Sequence, residues 1–553
     1  MAGSIDALVA AAEPAGPRPL GELIDRLTAE GRLRGAREGG RAIGPAGLAR
    51  VEVCGVTNDS RAVRAGALFV AVPGAHVDGH DFVERAEGAG AAAALVERAV
   101  ETASLPQVIV PATRPALASA AAWWYGDPSR ELTTVGITGT DGKTTTSFLA
   151  VAALEAAGLS TGLVGTIETK IGEAREAHAE HATTPEAPQL QAALRAMLDA
   201  GNAAVVIETT SHGLALERVG AVAYDAAILT NLTHEHLEFH GTWEAYREAK
   251  LSLFERLRTG PGNPAKGRPK VAIVNADDPS AGLFAGVAQE AGARVVTYGT
   301  DPSADVRAIR VEEDATGLRV ELQAPSGQAR LAIRLAGRFN VHNALAVVAL
   351  GEAWGLDAGA VRRGIESVER VPGRMERVDA GQPFGVVVDF AHSPASLQAV
   401  LGLLAPTAAA RGGELIAVFG SAGERDVAKR PMMGRIAGER CRIVVVTDED
   451  PRGEDAEAIL DAIAAGAEAV GKRRGHDLLL VADRAAAIAA AFDRARPGDV
   501  VLLAGKGHEA AIEYASGPRP WNERQAALDA LAALGYEADD ARDLRDPRGA
   551  PRR

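Results

Sequence analysis

The feature that most constrains the fold is a strand, loop and helix pattern near residue 140. The β-rich run Thr133–Ile137 leads into a loop containing Gly139 and Gly142, and an apolar helical run follows. Glycines let the backbone approach a ligand closely, and a helix N-terminus carries partial positive charge. The pattern predicts a phosphate-binding loop, in which Lys143 reaches the outer phosphates of a nucleotide and Thr144 binds Mg²⁺.

The loop differs from a full P-loop motif because Ile137 occupies the position of its first glycine. The shorter pattern Gly-Thr-x-Gly-Lys-Thr remains. The alternative interpretation is an ordinary glycine-rich turn between a strand and a helix, which the pattern alone does not exclude.

Length and composition define the class of protein. The chain has 553 residues, which corresponds to about three or four domains, and 47% apolar residues provide their cores. A net charge of -14 argues against a nucleic-acid partner. Cys54 and Cys441 lie in apolar runs, which predicts buried, reduced thiols. Without a signal peptide or a long apolar run, we expect a cytoplasmic protein with no membrane partner.

The pattern of strands divides the chain into three predicted α/β domains, at residues 1–131, 132–370 and 371–553. Strands and helices alternate in the second and third domains, which is typical of mostly parallel sheets covered by helices. Short alternating runs at 305–336 predict a β-appendage on the second domain. The fold class is therefore α/β, with a central P-loop-type parallel sheet and a Rossmann-like C-terminal domain.

The strands on which this division depends are short apolar runs. In the first domain they are 51–56, 67–73, 92–96 and 108–110; in the second, 132–137, 203–209, 225–230, 270–274 and 294–298; in the third, 385–388, 415–419, 443–446, 478–481 and 500–503.

Two further strand ends in the second domain are rich in polar side chains, one around Glu208 and one around His236. Ligands bind at the carboxyl ends of parallel strands, so Glu208 and His236 could complete a Mg²⁺ site with Thr144. The three histidines of the second cluster also permit a zinc site. These histidines are His234, His236 and His240.

Five short motifs occur in the order and spacing found in one enzyme family. They are Gly139–Thr144, Glu208–Gly213, Asn231–Leu237, Gly337–Asn343 and Asp389–Pro394. From residue 51 to 535 the chain resembles the Mur ligases, which form amide bonds with ATP in peptidoglycan synthesis. It is most similar to those that add the third, diamino residue to UDP-N-acetylmuramoyl-L-alanyl-D-glutamate. The resemblance implies an acyl-phosphate mechanism and a monomer that binds ATP, this dipeptide and a diamino acid.

The resemblance also implies which residues bind ATP and two Mg²⁺ ions. The ATP-binding residues are Gly139, Thr140, Asp141, Gly142, Lys143, Thr144, Thr145, Asn343, Arg374, Asp389 and His392. The metal ligands are Thr144, Glu208, His236 and Lys250, and the residues assigned to catalysis are Lys143, Lys250 and His236. By its position alone Lys250 is a solvated helix residue; the resemblance implies that it is carbamylated and binds the second Mg²⁺.

Two further groups of residues resemble positions that bind the other substrates. Those for the sugar-nucleotide peptide are Ser60, Thr183, Thr184, Ser211 and Arg218. Ala182 departs from the family, in which asparagine commonly precedes the two threonines. Those around the incoming amino acid are Arg425, Asp450, Pro451, Arg452, Gly505 and Glu509.

The loop at Asp450 bears on which amino acid is added. Ligases that add diaminopimelate carry Asp-Asn-Pro-Arg, whereas here Asp450 replaces the asparagine and Arg452 is kept. A carboxylate favours a bare ammonium and disfavours a second carboxylate, by about 1 kcal/mol or more in a dry site. We therefore expect lysine or ornithine before meso-diaminopimelate, although Arg452 argues for the latter and could pair with Asp450.

Other functions remain open to the same sequence. Folylpolyglutamate synthases and cyanophycin synthetases share the ATP loop and the three-domain plan, but they give no reason for Ser60 or for the Asp450–Arg452 loop. A P-loop switch that hydrolyses nucleotide, or a sugar-nucleotide binding protein without catalysis, would come from another class.

Overall fold

The computed structural model describes residues 4–74, 77–177, 183–233, 237–314 and 317–536. The chain divides into two compact units, one holding nearly all residues up to Ser367 and the other the residues from Val368 on. Within the described ranges, no helix combines the length and apolar character that crossing a bilayer requires. Charged residues alternate with Pro and Gly after Asp539, a pattern that predicts a frayed tail, and this part of the chain lies outside the described ranges.

The first part of the first unit contains a six-stranded sheet in the order β3-β2-β8-β7-β6-β5, in which β5 to β8 are parallel. Its helices are α1 (Ile5–Ala11), α2 (Leu20–Ala29), α3 (Pro45–Leu48), α4 (Val83–Gly88) and α5 (Thr113–Trp124). The strands are β1 (Arg18–Pro19), β2 (Gly35–Glu38), β3 (Arg41–Ala42), β4 (Glu52–Val53), β5 (Val56–Thr57), β6 (Leu68–Val70), β7 (Ala93–Val96) and β8 (Gln107–Ile109).

The strand predicted at 51–56 is divided between two sheets. β4 pairs with β1 in a separate two-stranded sheet, whereas β5 pairs with β6 in the six-stranded one. Cys54 lies between them and is exposed, so the prediction that it is buried is wrong; Cys441 is buried as predicted.

An eleven-stranded sheet forms the rest of the first unit, in the order β12-β11-β10-β13-β9-β14-β15-β16-β17-β18-β19. Seven consecutive strands of this sheet are parallel, namely β10, β13, β9, β14, β15, β16 and β17. The strands are β9 (Thr133–Thr138), β10 (Thr161–Val164), β11 (Glu168–Ile171), β12 (Ala174–Ala177), β13 (Ala204–Glu208), β14 (Ala226–Leu229), β15 (Val271–Asn275), β16 (Arg294–Gly299), β17 (Val306–Asp314), β18 (Gly317–Ala324) and β19 (Gly327–Ile333).

The helices of this part follow the strands along the chain, as the alternation predicts. They are α6 (Lys143–Ala156), α7 (Ala187–Asp199), α8 (Ser211–Ala215), α9 (Leu237–His240), α10 (Trp243–Glu255), α11 (Ala281–Glu290), α12 (Phe339–Trp354) and α13 (Ala358–Ser367). The five strands predicted from 132 to 298 are confirmed, whereas β10, β11 and β12 are not among the predicted strands.

The second unit contains a six-stranded sheet in the order β20-β21-β25-β22-β23-β24, in which only β20 is antiparallel to its neighbour. All five strands predicted here are confirmed, and with them the α/β class. The strands are β20 (Glu376–Arg377), β21 (Gly385–Asp389), β22 (Leu415–Phe419), β23 (Ile443–Val446), β24 (Leu478–Leu480), β25 (Val500–Ala504), β26 (Ala511–Tyr514) and β27 (Gly517–Pro520). The helices are α14 (Pro394–Ala410), α15 (Lys429–Arg440), α16 (Ala456–Glu468), α17 (Arg484–Phe492) and α18 (Glu523–Ala533).

A buried carboxylate joins the amino ends of the central strands in the first unit. Asp225, just before β14, accepts hydrogen bonds from the backbone N–H of Thr134 and from the ammonium of Lys270. It also forms an ion pair with Lys266 at 2.6 Å, and its side chain is fully buried. Removing one partner from a buried ion pair leaves the other charges uncompensated, so Asp225 should be critical for stability.

We expect Asp225→Asn to lower the free energy of unfolding of the first unit by about 3–5 kcal/mol, because two buried ammonium groups lose their counter-ion. Urea denaturation measures this change. Glu439→Gln removes one partner of an exposed ion pair on α15 and should cost about 0.5 kcal/mol or less. A cost below about 1 kcal/mol for Asp225→Asn would contradict the stabilising role of this carboxylate.

Candidate functional site

The predicted phosphate loop connects the end of β9 to the start of α6. Gly139 and Gly142 both have positive φ angles, of 145° and 81°. A Cβ atom on Gly139 would collide with Oγ1 of Thr230, and one on Gly142 would collide with Oδ1 of Asn343. Only glycine fits at these two positions, because the backbone is left-handed and neighbouring polar atoms occupy the space of a side chain.

Two lysine ammonium groups meet at the backbone of this loop. Nζ of Lys143 donates to the carbonyl oxygens of Gly139 and Thr140, at 2.9 and 2.6 Å. Nζ of Lys250, on α10, donates to the same oxygen of Gly139 at 2.8 Å. Lys250 is only 2% exposed and lies over the ring of Tyr246. The solvated position expected from its helical pattern alone is therefore wrong.

A buried carboxylate lies beside the first turn of α6. Glu208, at the end of β13, accepts hydrogen bonds from the hydroxyls of Thr144 and Thr166, at 2.9 and 2.8 Å. Carboxylate and hydroxyl oxygens are the donors that Mg²⁺ prefers, so these residues fit the ion predicted here. His236, also predicted as a ligand, lies outside the described residues, as does His234 of the zinc alternative.

The residues predicted for the sugar-nucleotide peptide fall into two places. The hydroxyl oxygens of Thr183 and Thr166 are 3.1 Å apart, and Oγ1 of Thr184 donates to the backbone oxygen of Glu208. Arg218 donates to the carbonyl of Thr184. Ser211 begins α8, three residues beyond the end of β13. Ser60 lies in the turn after β5 and so belongs to the other sheet, and Ala182 lies outside the described residues.

Side chains from other segments form hydrogen bonds with the phosphate loop and the first turn of α6, and only some of these side chains were predicted. Asn343, near the start of α12, accepts a hydrogen bond from Thr146. The backbone N–H of Asp141 donates to Oδ1 of Asn231, and the hydroxyls of Thr140 and Tyr246 are 2.9 Å apart. Thr145 is buried in the first turn of α6. Thr166 was missed because β10, whose end precedes it, carries no clear strand pattern.

In the second unit, three residues predicted to bind ATP lie around one strand end. Asp389, the last residue of β21, accepts hydrogen bonds from the backbone N–H groups of Met375 and Ala391, and burial raises the pKa of its carboxyl group. The guanidinium of Arg374 lies 5.0 Å from the centre of the Phe390 ring. His392 donates through Nδ1 to the carbonyl of Phe390.

All but one of the residues predicted around the amino acid follow β23 or β25 in the chain. Lys506, which is fully buried, donates to Oδ1 of Asp450 at 2.7 Å and pairs with Oε2 of Glu509 at 2.6 Å. The partner of Asp450 is thus Lys506, and the suggested Asp450–Arg452 pair is not formed. No sequence pattern indicates this pairing, because residue 506 follows another strand. Arg425 is exposed, after β22.

Glu449 is a site residue that sequence reasoning missed. It stands at the first position of the Asp-Asn-Pro-Arg pattern, and burial raises the pKa of its carboxyl group. Its Oε2 atom is buried and has no hydrogen-bond partner among the described residues, and the same holds for Oγ of Ser421. A Cβ on Gly505, whose φ is 103°, would lie 2.8 Å from that oxygen. The sequence signal that could have identified Glu449 is that it replaces the aspartate of the Asp-Asn-Pro-Arg pattern.

Comparison with known proteins gives the family. Three family profiles match in succession: the Mur ligase family catalytic domain at residues 52–125, the Mur ligase middle domain at 137–351 and the Mur ligase glutamate ligase domain at 373–507. The UDP-N-acetylmuramyl-tripeptide synthetase of Roseiflexus sp. (strain RS-1) is 50% identical, over 88% of this chain and 96% of that protein.

The chain belongs to the Mur ligase family. Like other Mur ligases, it is an ATP-dependent amide ligase that forms ADP. A second relative of this Mur ligase is the UDP-N-acetylmuramoyl-L-alanyl-D-glutamate--2,6-diaminopimelate ligase of Streptomyces coelicolor, 42% identical over 93% of this chain and 96% of that protein. A solved structure of a ligase of the same name covers 88% of this chain and 96% of its own, with a TM-score of 0.61 and 29% identity.

We expect Gly142→Ala to lower kcat/KM for ATP by about tenfold to a hundredfold, because the alanine is strained at this φ and displaces Asn343. A steady-state assay of ADP release measures this change. Gly158, at the other end of α6, has a φ of 87° with no atom within 4 Å of its Cβ position. Gly158→Ala should therefore cost stability but leave kcat/KM for ATP within about twofold. Equal activity of the two variants would contradict the assignment of the loop.

Proposed function

We propose that this Mur ligase adds a diamino acid to the γ-carboxylate of D-glutamate in UDP-N-acetylmuramoyl-L-alanyl-D-glutamate, and that L-lysine or L-ornithine is preferred to meso-diaminopimelate. The observation that carries the choice of amino acid is the excess of carboxylates over cations around Lys506. The names of the relatives from Roseiflexus and Streptomyces coelicolor support the tripeptide product.

The chemistry follows from the weakness of a carboxylate as an electrophile. In the proposed reaction a carboxylate oxygen attacks the γ-phosphorus of ATP, the bond to the β-phosphate oxygen breaks, and ADP leaves with its electron pair. The amine of the diamino acid then attacks the acyl phosphate, loses a proton and expels inorganic phosphate. Positioning the reactants and stabilising developing negative charge supply most of the catalysis in reactions of this kind.

Residues of the first unit have the chemistry that the first step needs. Lys143 offers a cation to the transferring phosphoryl group, while Thr144 and Glu208 would bind one Mg²⁺ ion together with His236. The ε-amine of Lys250 would add CO₂ and release a proton, and the resulting carbamate would provide an oxygen ligand for a second ion. Bound Mg²⁺ ions would offset negative charge on the phosphates. The buried position of Lys250, beside Lys143, supports this role.

The preference for a diamino acid with one carboxylate rests on charges in the second unit. Lys506 forms ion pairs with both Asp450 and Glu509, so two carboxylates share one cation. Glu449 adds a third carboxyl group, and its unpaired Oε2 can accept a hydrogen bond from an ammonium. Arg452 is the feature that favours a ligand with a distal carboxylate. The net negative charge of this group favours a ligand whose side chain ends in an ammonium alone.

A panel of amino acids tests the proposal. Purified enzyme with ATP, Mg²⁺ and the UDP-linked dipeptide should release phosphate only when a diamino acid is added, with larger kcat/KM for L-lysine or L-ornithine than for meso-diaminopimelate. Much faster turnover of meso-diaminopimelate would contradict the preference. Phosphate release with a folate or cyanophycin substrate, or without any amino acid, would instead support one of the rival functions.

We expect Asp450→Asn to raise kcat/KM for meso-diaminopimelate relative to L-lysine by about fivefold or more, which corresponds to ~1 kcal/mol, because it removes one negative charge from the group. The same phosphate-release assay measures the ratio. Asp455→Asn is the matched control, since Asp455 is an N-cap residue of α16 and asparagine caps helices equally well. An unchanged ratio in Asp450→Asn, or an equal change in the control, would contradict the role of Asp450.

A further inference from the structure

A fully buried ion pair lies beneath the strand ends that carry the proposed amino-acid site. Arg484, the first residue of α17, donates from Nε and Nη2 to the two carboxylate oxygens of Glu523, the first residue of α18, at 2.8 and 2.7 Å. Both side chains have no exposed surface. A pair in such a place costs a large desolvation energy, so its presence calls for a reason beyond stability.

The remaining donors of Arg484 bind two strand ends directly. Nη1 donates to the carbonyl oxygen of Asp448 at 3.0 Å, and Nη2 donates to that of Ala504 at 2.7 Å. Glu449 and Gly505 are the next residues along the chain. The two strands, β23 and β25, are not neighbours, because β22 lies between them. One planar guanidinium therefore fixes the spacing of two separate loops across an intervening strand.

We propose that Arg484 is a positioning residue for the incoming amino acid, which it affects through the loops that begin at Glu449 and Gly505. This inference rests on the proposed function of those loops. The fork geometry of arginine is essential, because N–H groups fixed in one plane donate four hydrogen bonds to two carbonyls and one carboxylate. Lysine could keep the charge opposite Glu523 but could not hold both carbonyls at once.

A second layer fixes the carboxylate of this pair. The indole Nε1 of Trp521 donates to Oε2 of Glu523 at 2.6 Å. The order of contacts therefore runs from Trp521 to Glu523, then to Arg484, and from there to the two strand ends. Groups that hold site residues in place in this manner commonly change substrate affinity when they are altered, even though they do not touch the substrate.

The structure also provides a matched control at the opposite end of the same strands. Arg442, just before β23, pairs with the buried carboxylate of Asp499, just before β25. It also donates to the carbonyl oxygen of Arg494. This pair thus joins the amino ends of the two strands that Arg484 joins at their carboxyl ends, away from the proposed amino-acid site.

The test compares Arg484→Lys with Arg442→Lys in the full-length enzyme. We expect Arg484→Lys to raise KM for the accepted amino acid by about tenfold or more, while KM for ATP and for the UDP-linked dipeptide stay within about twofold. Arg442→Lys should lower the melting temperature but leave all three KM values within about twofold. A purely structural role for Arg484 would instead change the three KM values together, or none of them, and would overturn the inference.

Two further outcomes are distinguishable. If Arg484→Lys does not fold, Trp521→Phe provides the test. It removes the indole hydrogen bond to Glu523, keeps an aromatic ring against the neighbouring core, and should raise the same KM by about threefold; no rise would overturn the inference. Wild-type enzyme that accepts an amino acid of another class would contradict the proposed function, whereas the role of Arg484 would still be judged by KM for that amino acid. Wild-type enzyme that accepts none contradicts both.

Discussion

The phosphate loop depends on the burial of one carboxylate beneath it. Glu208 has no exposed surface, so each of its oxygens needs a donor, and the hydroxyls of Thr144 and Thr166 and the N–H of Thr166 provide them. These contacts join the ends of β13 and β10 to the first turn of α6. Because the carboxyl ends of parallel strands lie at one edge of a sheet, a single residue can connect three segments that are distant in sequence.

In the second unit, carboxylates are concentrated at the carboxyl ends of parallel strands. Carboxylates of Asp450, Glu509 and Glu449 gather at the ends of β23 and β25, and a single buried ammonium, that of Lys506, lies among them. Neighbouring carboxylates repel each other unless they share a cation, as Asp450 and Glu509 share Lys506, and burial raises the pKa of Glu449. A ligand ammonium would change this balance.

Much of the fold could be predicted because its central strands are continuous apolar runs, such as Val271–Asn275 and Val500–Ala504. The edge strand β12 and the strand β2, which lies next to the edge, were missed because they carry charged residues and few apolar ones. Positions of the candidate site were predictable where a polar residue ends a buried strand, as Glu208 does. Contacts between residues distant in sequence were not predictable. Nothing in the sequence links Lys506 to Asp450 or Thr166 to Glu208, because these pairs form only when the sheet brings the ends of separate strands together.

The division of the run 51–56 between two sheets has a practical consequence for handling the protein. Thiolates, not thiols, react with maleimides and iodoacetamides, and burial raises the pKa of Cys441 to about 12. Cys54 is exposed. The native chain therefore offers one attachment point for a fluorophore or spin label, on the same unit as the phosphate loop, and spectroscopy of this ligase can begin without an engineered cysteine.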